Sequence, residues 1–278
     1  MKVEDCIVAV ERRSLGGCLD LAFVFAREFA APITRLTLMF AVPACALVWL
    51  VASYSTDMLM PSVLIFLCFS SLYNGALIAA VGPQVFGVSI STRHALRDLR
   101  KRLFSYGFLA FLYRFLLFMS MFCMVFPSLI VTTHFGHLPE VMMLEQTPFS
   151  RVLQRLSWLG RGGGFGRNFS RVLGLMAFWA LFSVGLFFII DLLMLVLFHI
   201  PVFTGQFTGG QMFSGDQLAS VVLDSPVFLT VVHVALWLPF PVVRLAWFFC
   251  YLDQRIRNEC WDLELQFRVE AARLEGLA

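Results

Sequence analysis

Long apolar stretches alternate along the chain with shorter amphipathic ones. After Ser14, a residue type that caps helix starts, Leu15, Leu19, Ala22, Phe23 and Phe29 follow helical spacing. Asp20, Arg27 and Glu28 share that segment, so residues 14–29 are predicted to lie in a membrane interface rather than to cross it. Pro32 marks a turn into two apolar passes, at about 36–53 and 62–83, joined by the polar tip 54–61. The order of parts then repeats. Residues 90–103 set Ala95, Leu96, Leu99 and Leu103 against Arg93, Arg97, Arg100, Lys101 and Arg102. A third amphipathic helix starts at Thr147 with Pro148 in its first position, and opposes Phe149, Val152, Leu153, Leu156 and Leu159 to Arg151, Gln154 and Arg155. The Gly-rich run 160–166 ends it before a fifth pass at about 172–198. A polar loop, 199–225, leads to a sixth pass at about 226–251, where Pro239 and Pro241 predict a kink. That pass should continue as a helix to about residue 275. Leu252, Ile256, Cys260, Leu263, Phe267 and Leu274 form its apolar stripe, and Asp253/Arg257 and Glu264/Arg268 its wet-side pairs.

The middle pair of passes is short. Two full passes need about 40 residues, more than 115–146 supplies. The third pass therefore starts near 105–108 and includes Arg114. It turns at Pro127, and the return carries Thr132, Thr133, His134, His137 and Glu140. Either that return is shielded inside the bundle or the hairpin is re-entrant; a full hairpin is the reading adopted.

Charge supplies the orientation. All 21 Lys and Arg residues fall within 2–35, 93–114, 151–171 and 244–273, with none in 36–92, 115–150 or 172–243. Short loops rich in Lys and Arg stay in the cytoplasm, so both termini are expected there. Composition agrees: 59% of residues are hydrophobic and 14% charged, against about 25% charged in ordinary soluble domains. Mean hydropathy is +0.82. The prediction is an all-α integral membrane protein forming a single domain, 1–278. It has about six transmembrane helices in three hairpins, each preceded by an amphipathic interfacial helix, and a cytoplasmic helical tail over 252–278. The first 14 residues hold Glu4, Asp5, Glu11, Arg12 and Arg13 without an apolar core, which argues against a cleavable signal peptide. The seven cysteines form no close CxxC pair and read as reduced, small apolar residues.

Ionisable groups inside a span are costly and so are candidates for function. Asp191 and His233 lie at similar depths in the fifth and sixth passes and would meet if those helices are neighbours; a structural clamp is the alternative. Arg114 either snorkels to the inner headgroups or pairs with Glu140 or Glu145. Asn74-Gly75 reads as a helix-packing notch, and Asn74 joins Asp191, His233 and Arg114 as a candidate intramembrane polar site. Arg93, Arg97, Arg100, Lys101, Arg102, Arg151 and Arg155 are candidate contacts for anionic lipid headgroups. His134-x-x-His137-x-x-Glu140 has metal-ligand residue types, but Gly136 and Pro139 interrupt the helix and no metal or other cofactor is expected. The glycine run lacks the Lys-Ser/Thr ending of a P-loop, and no catalytic set emerges.

The tail pattern Tyr251, Asp253, Arg255, Arg257, Glu259, Asp262, Leu263, Glu264 resembles one found in many bacterial polytopic membrane proteins. A Leu-Glu followed by a short helix ending in Arg-Gly (residues 140–162) and the Arg13–Gly16 start extend the likeness over most of the chain. The group includes the membrane domain attached to some glycerophosphodiester phosphodiesterases. The resemblance implies a helical domain of the bacterial inner (plasma) membrane; it does not carry over the hydrolase activity, because the catalytic barrel has no counterpart in these 278 residues.

The function expected from these readings is a non-catalytic inner-membrane scaffold or accessory subunit. It would organise lipids through anionic headgroups, and a protein partner on the cytoplasmic face. The alternative is a transporter or lipid-handling protein using the polar intramembrane site. Nucleic acid is not an expected partner, since the aromatic residues are apolar anchors rather than a basic groove.

Overall fold

Ser14 opens the first helix. Its backbone is extended and its hydroxyl accepts a hydrogen bond from the Gly17 N–H at 3.2 Å, satisfying one amide of the first turn. The computed structural model describes residues 11–54, 59–85, 92–122, 125–161, 163–200, 202–203 and 225–259. In it α1 runs Leu15–Glu28, and a single residue, Phe29, turns the chain into α2, Ala30–Tyr54. Pro32 sits in the first turn of α2, where a missing N–H breaks no helical bond, so this helix starts earlier than predicted. α3 follows at Leu59–Val85.

α4, Thr92–Phe122, is one unbroken helix. The amphipathic stretch 90–103 and the third pass were expected as two elements, but residues 103–108 contain no proline and nothing there interrupts the ladder. The return is broken instead, into α5, Val125–Phe135, and α6, Leu138–Met143. Pro127 lies in the first turn of α5 rather than at a hairpin tip. The break falls at Gly136, where Trp247 crosses: its indole Nε1 donates to the Gly136 carbonyl at 3.0 Å, and a Cβ on Gly136 would meet the ring at 2.9 Å.

A 3-10 turn at Phe149–Arg151 leads into α7, Val152–Leu159, with Pro148 rather than Thr147 in the cap position. Gly163 adopts φ +79°, a left-handed conformation that glycine enters without steric cost, and starts α8, Gly164–Phe198. Ser225 caps α9, Pro226–Trp237, and the kink predicted from Pro239 and Pro241 separates it from α10, Phe240–Glu259. The predicted extension to residue 275 and most of the loop 199–225 lie outside the described residues.

Five segments are long and apolar enough to cross a bilayer: Ala30–Tyr54, Leu59–Val85, Thr92–Ser120, Gly164–Phe198, and Pro226–Glu259 taken through its kink. The described residues contain no strand. The chain is an all-α, multi-pass membrane protein. Large apolar side chains such as Phe104, Phe111, Leu181 and Val196 point outward, a surface that lipid tails cover and water would not.

Helices α2, α3, α4, α5, α8 and α9 each touch the next, and α9 returns to α2, closing a ring. α1 packs along α10, while α6 packs against α3, α4 and α7. The starts of α1, α7 and α8 and the end of α10 come together through Arg13, Arg155 and Arg171, at what is called the basic end below. Gly75 is the close approach between α3 and α4, as the Asn74-Gly75 notch predicted. A Cβ there would lie 2.7 Å from Cε1 of Tyr106 and 2.9 Å from Leu99 Cδ1. Gly75→Ala is expected to cost about 1–3 kcal/mol through this overpacking. An unchanged thermal midpoint in lipid nanodiscs would show that the two helices have room to part.

Candidate functional site

The inner wall of the ring borders a cavity of about 390 Å³. Its α3 wall runs from Leu59 to Asn74, about 22 Å at 1.5 Å per residue. Apolar side chains dominate: Phe66 and Leu67 of α3, Met176 and Trp179 of α8, Leu236 of α9 and Phe240 of α10. Phe66 stacks on Trp179 with ring centroids 5.7 Å apart and meets Trp237 and Phe240 edge-on, so this wall is rigid. The polar lining groups include Ser62, Ser70, Ser71, Asn74, Tyr106, Tyr113, Arg114, Thr132, His233 and Arg244.

Arg114 neither snorkels nor pairs with Glu140 or Glu145. Its Nε donates to Ser71 Oγ at 2.7 Å and its Nη2 to Ser70 Oγ at 3.2 Å, and among the described residues no carboxylate pairs with it. Both serine hydroxyls already donate to the Leu67 carbonyl, so they solvate the guanidinium without neutralising it. Tyr106 reinforces this level, its hydroxyl donating to the Ser71 carbonyl at 2.6 Å.

Glu140 pairs with Arg244 instead: Arg244 Nη2 donates to Glu140 Oε1 at 2.6 Å, and both side chains are buried. Their other atoms, Glu140 Oε2 and Arg244 Nε, are buried without hydrogen-bond partners, as is Asn74 Oδ1. His137 stacks flat on Trp247 at 4.2 Å between centroids, and its two ring nitrogens also lack partners. With the helix broken at Gly136 and Glu140 held by Arg244, His134, His137 and Glu140 do not share a helical face. Among the described residues no group of three His, Cys, Asp or Glu side chains is placed to hold a metal ion.

Asp191 and His233 do not meet. Asp191 is fully buried and accepts the Phe203 N–H at 3.0 Å, tying the end of α8 to the chain beyond it. His233 places Nδ1 3.0 Å from the Leu229 carbonyl and Nε2 3.0 Å from the Ser62 carbonyl; a neutral imidazole, with one N–H, donates to one of them, and the ring packs α9 against α3. Only Arg114, Asn74 and His233 of the four candidate intramembrane residues reach the cavity.

A second polar assembly joins the elements at the basic end. Asp253 accepts from Arg171, from Arg257 Nε at 2.8 Å and from the Arg13 N–H at 2.7 Å. It is 1% exposed, so the Asp253/Arg257 pair expected on the wet side is an interior one. Beside it, Arg155 grips Glu145 with two bonds, at 2.6 and 2.8 Å, and also bonds Glu259, which Arg255 holds at 2.7 Å. Burial works against the Arg155 charge, but the bonds to Glu145 and Glu259 outweigh it and raise its pKa above the usual guanidinium value. The Tyr251 hydroxyl donates to Glu145. Arg13, Glu145, Tyr251, Asp253, Arg255, Arg257 and Glu259 are among the motif residues quoted from the sequence, whose Asp262, Leu263 and Glu264 lie outside the described residues. Arg171 was not singled out in the sequence; its position beside an apolar run was the available signal.

Of the candidate headgroup contacts, Arg93, Arg97, Arg100, Lys101 and Arg151 are exposed. Arg102 turns inward to the Met142 carbonyl at 3.2 Å, and Arg155 belongs to the assembly just described. No protein-family model, curated protein or solved structure matches this chain.

Proposed function

We propose that this is a lipid-handling membrane protein that takes an amphiphilic ligand into the cavity between its helices. The observation that carries this reading is the elongated, apolar cavity with a guanidinium in its wall that no carboxylate among the described residues neutralises. A charge in a span is costly unless something compensates it, and ligand pockets of 300–1,000 Å³ with few, placed polar groups are the usual form of a binding site. In this reading the chain crosses the inner membrane six times, with α5 and α6 completing the second, middle hairpin. Its termini and basic end face the cytoplasm, following the segregation of Lys and Arg. The amphipathic segments before each hairpin then lie at the cytoplasmic interface.

Ala110, buried in the cavity wall on α4, offers the test. Ala110→Phe should fill the cavity while leaving the basic-end assembly untouched. Native mass spectrometry of the purified protein should then find a retained lipid-like molecule in the wild type and its loss in the variant. Equal occupancy in both would sink the proposal. An organising role is a second reading, favoured by the exposed Arg93, Arg97, Arg100 and Lys101 face of α4, which suits anionic headgroups or an acidic partner.

A further inference from the structure

We infer that the cavity ligand is a single-chain amphiphile with an anionic head, the head seated at Arg114 and the tail along Phe66, Trp179 and Phe240; this rests on the lipid-handling reading above. Three observations carry it. First, Arg114 is deep. It lies twelve residues past Arg102, the last of the α4 basic cluster, about 18 Å along the helix, and eight before the end of α4 at Phe122. Ser70 and Ser71, its partners, are at the middle of α3. At that depth a guanidinium cannot lose its proton, so its charge persists and an anion is the complement that suits it.

Second, the cradle is built and not filled by protein charge. The two serine hydroxyls orient the guanidinium from one side while donating to Leu67, and Tyr106 fixes the Ser71 carbonyl. The neighbouring cation of the cavity, Arg244, is by contrast already paired with Glu140. Anion affinity is therefore concentrated at Arg114.

Third, the space suits a single tail. A methylene fills about as much space as a water molecule, roughly 30 Å³. The cavity of about 390 Å³ thus has room for one chain of about a dozen carbons or more. A two-chain phospholipid is several times larger.

The test uses the full chain in phosphatidylcholine nanodiscs and a photoactivatable dodecanoic acid, at a pH where the acid is ionised, with crosslinks mapped by mass spectrometry. Crosslinks should fall on cavity residues such as Met176 or Leu236. Unlabelled dodecanoic acid should compete at least about tenfold better than its methyl ester, the ratio expected for a charge-assisted hydrogen bond. Arg114→Met should abolish that preference, and Arg114→Lys, which keeps the charge, should retain most of it. If Arg114→Met does not elute as a folded species, the acid-to-ester ratio of the wild type and Arg114→Lys decides. Equal competition by acid and ester overturns this inference while leaving a ligand cavity standing. Competition by phosphatidylglycerol equal to that of dodecanoic acid overturns the single-chain assignment. Absence of cavity crosslinks overturns both this inference and the lipid-handling reading.

Discussion

Asp253→Asn should destabilise the folded protein by about 3–5 kcal/mol, the range for breaking a buried ion pair by removing one partner. Asp253 is the single carboxylate on which Arg171, Arg257 and the Arg13 amide converge. Asparagine keeps an acceptor oxygen but leaves Arg171, which is 4% exposed, without a countercharge. Three elements depend on the site: α8 through Arg171, α10 through Asp253, and the start of α1 through Arg13. The loss should therefore appear both as a lower thermal midpoint in nanodiscs and as faster trypsin cleavage at Arg12 and Arg13. Combining Arg171→Met with Asp253→Asn should restore much of the stability, because it removes both buried charges together. A single variant within about 0.5 kcal/mol of wild type, the ordinary effect of a surface change, would show that the assembly holds nothing together.

Glu140→Gln should be nearly as damaging, at about 3–5 kcal/mol, and worse than Arg244→Met. Both residues are buried and paired through one bond of 2.6 Å. The asymmetry follows from their chemistry. Arginine does not give up its proton in proteins, so Arg244 facing a glutamine stays charged in a low-dielectric interior. A carboxyl left alone by Arg244→Met can take up a proton and become neutral. The double variant should be milder than Glu140→Gln alone. Denaturation of all three variants in parallel measures the order. If Arg244→Met proves the more harmful, the pair is not the isolated buried couple that its geometry indicates.

Both sites show how far the chain can be read without its fold. The kink between α9 and α10 follows from Pro239 and Pro241, which supply no N–H to the ladder, and Ser14 and the Gly75 notch were legible for equally local reasons. The continuity of α4 was less so, because amphipathic and apolar stretches share one helical period and nothing marks a boundary between them. Asp253 illustrates the opposite failure. A pair four residues apart on a helix looks the same whether its face meets water or another helix. Only the docking of α1 and α8 made that face an interior.

The sequence by itself determined that this is a helical membrane protein, where its apolar segments lie and that its arginines cluster between them. Those properties arise from single residues meeting lipid or water, and each residue carries its own transfer preference. Which charges meet was decided by the tertiary structure alone. Arg114 lies on serines instead of a glutamate, Glu140 faces Arg244, and His233 is occupied by carbonyls, because partners far apart in sequence are chosen by how the helices pack into a ring.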